Sequence, residues 1–286
     1  MTLILAATPL GNPGDASTRL KSAIETASII AAEDSRRFHR LCADLEVTFT
    51  ARILSFFEGN EEERTRELLA ELKSGATVLV VSDAGMPTIS DPGFRLMRDA
   101  IAEGVEVSVI PGPSAVTMAV ALSGLPTDRF SFEGFPPRTA GARLATFEKL
   151  RFEERTMVFF EAPHRLVDSL TDCVNIFGTE RRAAICREMT KRYEETIRGS
   201  LSELATWASN NEVLGEITLV IAGAVTDSAS LTAADMVGRV REFESAGMDR
   251  KAAIATVAQE LDLPKKLVYA AVVEAQAKVK NNLEAN

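Results

Sequence analysis

TVLVVSDAGMPTISDPG (77–93) is the stretch on which the fold turns. Its first seven residues form a continuous apolar run of strand length, and the loop that follows is rich in Gly, Pro and small polar residues. Upstream, residues 61–73 predict a helix with Leu68, Leu69 and Leu72 on one face, ended by Gly75. Downstream, a helix over 93–103 leads through Gly104 into VEVSVIPG (105–112). LILAAT (3–8), a helix around 20–27 and SIIAAED (28–34) repeat the alternation towards the N-terminus. Strand, helix and strand in repeated order predict a parallel sheet with helices on both faces.

Beyond Pro113 a second α/β region begins. It reads as a helix over 114–122, FSFEGF (130–135), a Pro136-Pro137 break, a helix over 140–150, TMVFFEA (156–162), a helix over 164–177, AAICREM (183–189), a helix over 200–208 and EITLVIAG (216–223). AVTDSASLTAAD (224–235) has linker composition. Helical patterns at 252–261 and 265–276, with a turn at 262–264, resemble a helix-turn-helix; a plain helical hairpin is the competing reading. The expected organisation is an N-terminal α/β lobe (1–116), a C-terminal α/β lobe (117–224), a linker (225–234) and a helical module (235–286), with a cleft between the lobes.

Composition narrows the function. With 46% hydrophobic and 26% charged residues, the 286-residue chain has globular proportions. Its net charge of −9 argues against a protein held on nucleic acid by phosphate contacts alone. The charge is uneven: the first 234 residues hold 24 basic and 33 acidic side chains, the remainder eight of each. Cys42, Cys173 and Cys186 are widely spaced, which reads as a reducing cytoplasm with no structural zinc. MTLILAATPLG lacks a basic leader region, and no apolar run has membrane-spanning length, so neither secretion nor membrane insertion is expected.

Four loops stand at the carboxyl ends of predicted strands, where open α/β sheets bind ligands. They are TPLGNPGD (8–15), SDAGMPTISDPG (82–93), PGPSA (111–115) and EAPHR (161–165). The first carries neither a dinucleotide nor a triphosphate fingerprint. Asp83 is placed to accept hydrogen bonds from a ligand or to cap the following helix, and Ser114 both to cap its helix and to present a hydroxyl.

TPLGNPGD, AAEDSRR (31–37), SDAGMPTISDPG, VIPGPSAVTMAVALSGLP (109–126), FEGFPPR (132–138), FFEAPHR (159–165), REMTKRYEE (187–195) and GEITLVIAG (215–223) together resemble the small-subunit ribosomal RNA methyltransferase I group of the tetrapyrrole methylase superfamily. The resemblance implies S-adenosylmethionine-dependent 2′-O-methylation of a cytidine ribose in 16S rRNA. It also implies a homodimer of two α/β lobes, each chain with an interlobe cofactor cleft and a C-terminal helix-turn-helix-like module. Carried over by position, the cofactor lies against Asp83, Ala84, Gly85 and Ile89, then Ser114 and Ala115, then Phe160 and Glu161, and finally Ala222 and Gly223. Pro9, Gly11, Asn12 and Asp15 face the RNA, as do Glu33, Asp34, Ser35 and Arg36. Ser35 stands where the group often has threonine and keeps the hydroxyl.

Methyl transfer from a sulfonium needs no metal, and fixed geometry alone can supply roughly 7–11 kcal/mol of the barrier. A ribose hydroxyl gains from a base, typically about 10²–10⁴-fold. Glu161 and Glu188, at strand ends, are the candidate carboxylates, with Lys191 lowering the pKa of its neighbour; the competing reading is that Glu188 merely pairs with Arg187 or Lys191. Arg36, Arg37 and Arg40 form the densest basic cluster, and Arg138 and Arg165 are further candidates for phosphate contacts. The substrate is then 16S rRNA or the assembled small subunit. A small-molecule tetrapyrrole methylase, or a ligand-sensing DNA-binding regulator, is the alternative.

Overall fold

In the computed structural model, which describes residues 1–224, 233–261 and 263–284, the chain runs from strand to helix through β1 (Thr2–Ala6), α1 (Thr18–Thr26), β2 (Ile29–Ala32), α2 (Ser35–Asp44), β3 (Arg52–Ser55), α3 (Glu61–Lys73), β4 (Thr77–Val81), α4 (Phe94–Ala102) and β5 (Glu106–Ile110). All five strands are parallel, in the order β3-β2-β4-β1-β5. The stretch TVLVV is thus the central strand, and alternation divides its side chains between two cores. Val78 and Val80 pack with Leu68, Leu72 and Leu96 of α3 and α4. Leu79 and Val81 pack with Leu20, Ile24 and Phe38 of α1 and α2.

The sequence reading did not anticipate β3 or α2. β3 is a four-residue edge strand, RILS, with no fully buried side chain, so no apolar run marks it. α2 buries only Phe38 and Cys42, one turn apart, beneath an otherwise polar surface. Asp34 starts it by accepting from the N–H groups of Arg36 and Arg37.

The second half holds α5 (Ala115–Ser123), β6 (Phe130–Gly134), α6 (Ala140–Lys149), β7 (Thr156–Glu161), α7 (Leu166–Phe177), β8 (Arg182–Arg187), β9 (Glu195–Ser200), α8 (Leu201–Asn210) and β10 (Ile217–Ile221). The sheet order is β6-β7-β10-β8-β9, and only β6 and β7 run parallel. On one face Phe147, Leu170 and Leu204 of α6, α7 and α8 cover Met157, Phe159 and Leu219. On the other, Val116, Ala119 and Val120 of α5 cover Val158, Cys186 and Val220. The chain therefore passes from one sheet to the other at 111–114, just ahead of the expected 116/117 boundary, which falls inside α5. β9, with the sequence ETIRGS, is a further strand that polar residues hid from the sequence reading.

Residues Ala224–Asn286 form a compact unit distinct from Met1–Gly223. α9 (Ala233–Ser245), α10 (Arg250–Glu260) and α11 (Lys265–Glu284) enclose a core of Val240, Ile254, Val257, Val268 and Val272. The expected linker at 225–234 lies, except for its last two residues, outside the described residues. Among the described residues no helix is long and apolar enough to cross a membrane. The three cysteines are free and buried, and burial pushes the Cys42 thiol up to about 11.

Candidate active site

A cleft of about 430 Å³ opens between the two sheets of the first unit, within the usual range for small-molecule sites. Its walls come from the ends of β2, β4, β5 and β7 and from the start of β10. The loop after β1 is fastened to the loop after β4: the Thr8 N–H donates to the Gly85 carbonyl at 2.9 Å, and the Gly85 N–H returns the bond at 3.1 Å. Gly85 has φ +83°, a conformation glycine adopts without strain.

Carboxylates dominate one wall. The Asp83 N–H donates to Glu33 Oε2 and the Asp34 N–H to Asp83 Oδ1, both at 3.1 Å, and Arg37 pairs with Asp83 Oδ2. Asp83 therefore ties the ends of β4 and β2 together and does not cap α4. Burial raises the pKa of both Glu33 and Asp83, in the latter case despite Arg37. Asp91, at the far end of the same loop, is pushed up to about 7 by burial and then by the charge of Glu33. The loop that carries it is strained, because Thr88 and Ser90 hold φ of +77° and +63°.

Across the cleft, Ser114 stands at the N-cap of α5 without making the side-chain cap bond, which leaves its hydroxyl available to a ligand beside the helix N-terminus. Ala84, Ala115, Ile89 and Phe160 line the space between, and Phe135 packs edge-on against Phe160 with ring centroids 5.6 Å apart.

A second group of residues closes around Lys191. Its ammonium bridges Glu188 Oε1 at 2.9 Å and Glu216 Oε2 at 3.0 Å, and the Glu216 N–H donates to Glu188 Oε1. Burial by itself would raise the Glu188 pKa, but the Glu216 N–H and Lys191 outweigh it and hold the group down. Burial would likewise lower Lys191, and the two carboxylates outweigh it and keep the ammonium charged. A Cβ on Gly11 would collide with the Lys191 side chain, and one on Gly215 with the Glu188 side chain. Both glycines are thus the close-approach points at which three loops meet. Of this group Gly215 and Glu216 line the cleft, while Glu188 and Lys191 stand behind them.

Four sequence-based expectations are corrected by this geometry. Ala222 and Gly223 lie away from the cleft: β10 is antiparallel to β7 and β8, so its start, Ile217, pairs with Glu161 and Arg187 at the cleft while its end, Ile221, pairs with Met157 and Ala183. Ala222 instead donates its N–H to the Arg182 carbonyl, and a Cβ on Gly223 would run into the Glu154 backbone. The Glu161 side chain is 0% exposed; it accepts from the Ser169 hydroxyl and the Ala162 N–H and faces Arg165, so only its backbone reaches the cleft. Arg165 is committed to Glu161 and to the Pro136 and Pro137 carbonyls, away from any phosphate. Pro9 is buried.

The other expected RNA contacts remain at the surface. Arg36 is 92% exposed, Arg40 and Arg138 are exposed, and Gly11, Asn12 and Asp15 form an exposed turn. Glu33, Asp34 and Ser35 are partly buried at the head of α2, where Glu33 and Arg37 face the cleft. The sequence reading passed over Asp91 and Glu216, although both lie in the motifs it singled out. Among the described residues, no group of three or more His, Cys, Asp or Glu is arranged to hold a metal ion.

Comparison with known proteins gives a family and a fold. Residues 2–205 match the family described as tetrapyrrole (corrin/porphyrin) methylases. A protein of Mycobacterium tuberculosis named ribosomal RNA small subunit methyltransferase I is 52% identical over 90% of this chain and 88% of its own. A protein of the same name from Thermotoga maritima is 44% identical over 221 residues, which are 77% of this chain and 98% of the relative. Among solved structures, uroporphyrin-III C-methyl transferase from Thermus thermophilus, complexed with S-adenyl homocysteine, superposes with a TM-score of 0.53 at 18% identity, covering 77% of this chain and 96% of that one.

Proposed function

The chain belongs to the tetrapyrrole methylase family, and within it to the ribosomal RNA small subunit methyltransferase I group; on that premise we propose that it transfers the methyl group of S-adenosylmethionine to the 2′-hydroxyl of a cytidine in 16S rRNA. Methylation of ribosomal RNA with this cofactor is the activity of the group to which it belongs. The ribose position and the cytidine are the finer part of the reading, and they rest on the ordered motifs from TPLGNPGD to GEITLVIAG.

The observation that carries the proposal is the composition of the cleft. S-adenosylmethionine brings two positive centres, a sulfonium and an ammonium, together with a carboxylate and an adenine. Glu33, Asp83, Asp91 and Glu216 supply negative charge, the Ser114 hydroxyl at the head of α5 suits a carboxylate, and Ile89 and Phe160 offer apolar surface. The residues present fit the group. Bound there, it supplies an activated methyl; the protein holds it, excludes water and aligns the ribose hydroxyl.

Of the arginines expected to contact RNA, Arg36, Arg40 and Arg138 are left exposed for phosphate, and Gly11, Asn12 and Asp15 form a further exposed turn. The substrate is taken to be the assembled small subunit in the cytoplasm, because an acidic protein has little general attraction for naked RNA. Homodimer formation is supported by the edge position of β5, with its exposed Val109, and by the exposed apolar side chains Phe94 and Ile101 on α4.

Incubation with methyl-labelled S-adenosylmethionine and, separately, 16S RNA, 30S particles and a porphyrin precursor tests the reading. Label in 2′-O-methylcytidine from 30S particles is the expected result. Label in the porphyrin alone would move the enzyme to the small-molecule branch of the family.

A further inference from the structure

The cleft holds four carboxylates, and three have their oxygens engaged. Asp83 is taken by Arg37 and the Asp34 N–H, Glu33 by the Asp83 N–H, and Glu216 by Lys191. Glu161 and Glu188, the carboxylates that strand-end position suggests, are turned away, one into the core and the other behind Glu216. Asp91 differs from all of these. Among the described residues no ion pair involves Asp91, and the charges that bear on it most are acidic, namely Glu33, Asp83 and Glu216; the neighbouring Ser82 hydroxyl reaches the Ala84 and Gly85 carbonyls, and Arg37, the basic residue lining the same cleft, is spent on Asp83.

We propose that the Asp91 carboxylate is the proton acceptor for the ribose 2′-hydroxyl during methyl transfer. The proposal rests on the methyl-transfer reading above and deepens it. In the step, the 2′-O–H bond breaks and its proton passes to an Asp91 carboxylate oxygen. The freed electron pair forms the O–CH₃ bond, and the S–CH₃ pair stays on sulfur as S-adenosylhomocysteine. Charge is conserved inside the cleft: a sulfonium beside a carboxylate becomes a neutral thioether beside a carboxylic acid. A carboxylate with no cation of its own is suited to this, because the sulfonium is the partner that ionises it and the loss of that charge returns its affinity for the proton.

The structure adds a condition that can be read without turnover. Without ligand the carboxyl group is pushed up to about 7, so near neutral pH it is partly protonated. Binding of the sulfonium expels that fraction, whereas S-adenosylhomocysteine, lacking the charge, does not.

Two measurements on the full chain test this. Calorimetry of S-adenosylmethionine and S-adenosylhomocysteine binding, in two buffers of different ionisation enthalpy at pH 7, is expected to show proton release for the first ligand alone, and none for either ligand with Asp91→Asn. Methyl transfer to 30S particles is expected to show kcat/KM for S-adenosylmethionine rising tenfold per pH unit up to about pH 7. Asp91→Asn should abolish that limb and slow single-turnover transfer by about 10²–10⁴-fold, with Asp91→Glu retaining part of the rate. Equal proton release in wild type and Asp91→Asn, or an Asp91→Asn protein that binds cofactor and transfers methyl within a few-fold of wild type, overturns the proposal. If wild type shows the proton release and labels no RNA, the substrate reading fails while the assignment of Asp91 as the group coupled to the sulfonium stands.

Discussion

Glu161 and Asp91 show how contacts decide what a carboxylate does. Glu161 ends a buried strand, and Ser169, the Ala162 N–H and Arg165 satisfy it. Removing it leaves the mostly buried Arg165 guanidinium without its anion, and loss of one partner of a buried pair costs about 3–5 kcal/mol. Glu161→Ala is therefore expected to lower the urea midpoint markedly. A normal midpoint with lost methyl transfer would return Glu161 to the chemistry. Asp91 behaves oppositely. Burial pushes its pKa up to about 7 in the folded chain, above the ordinary carboxylate value of 3.8, so the folded chain binds more protons than the unfolded one between those limits, and stability falls as pH rises through that window. Asp91→Asn should then melt higher than wild type at pH 8, with the gap closing towards pH 4; a constant gap would argue against the shift. Asp83 and Ser114 were legible because each ends a recognisable strand or opens a helix. Asp91 was not, because the Glu33, Asp83 and Glu216 that surround it come from three separate loops.

Elements decide which end of each strand meets the ligand. In the first sheet all strands are parallel, and the loops after β1, β2, β4 and β5, at their carboxyl ends, all contribute to the cleft. The second sheet is mostly antiparallel, and there the positions carried over from the family resemblance, Ala222 and Gly223, fall at the far end of β10 while residues 215–218 at its start line the cleft. An apolar run such as ITLVI reads as a strand from either direction; its direction follows from pairing, which local pattern does not encode. β3 and β9 escaped for a related reason, as partly exposed edge strands with polar sequences. Helix packing yields a prediction of its own. Arg143 of α6 and Asp172 of α7 join at 2.7 Å with both side chains nearly buried. Asp172→Ala leaves that guanidinium unpaired and should cost about 3 kcal/mol. Denaturant unfolding would show this, and cofactor affinity should be unchanged because neither residue lines the cleft.

For the whole molecule, the question is what the second unit adds. The core of α9, α10 and α11 is closed among its own apolar side chains, and every cleft residue lies in Met1–Gly223. The Thermotoga maritima relative is matched over nearly its whole length by 221 residues of this chain, close to the size of the first unit. The proposed cofactor binding and chemistry therefore belong to the first unit, which holds every cleft residue. Charge points to a different role for the second, since the acidic excess lies entirely in the first 234 residues and the remainder is neutral. A neutral unit repels phosphate less than the acidic body does, so any contact area it offered an RNA particle would come without added like charge. A chain ended after Gly223 is thus expected to bind S-adenosylmethionine with a Kd within about threefold of the full chain, a difference of less than about 0.7 kcal/mol. Its loss should fall on KM for 30S particles, with kcat nearly retained, because binding that is equal in ground and transition states changes KM alone. Side-by-side calorimetry and steady-state assays of the two chains check both parts; a kcat loss as large as the KM change would mean that the helical unit acts on the chemistry itself.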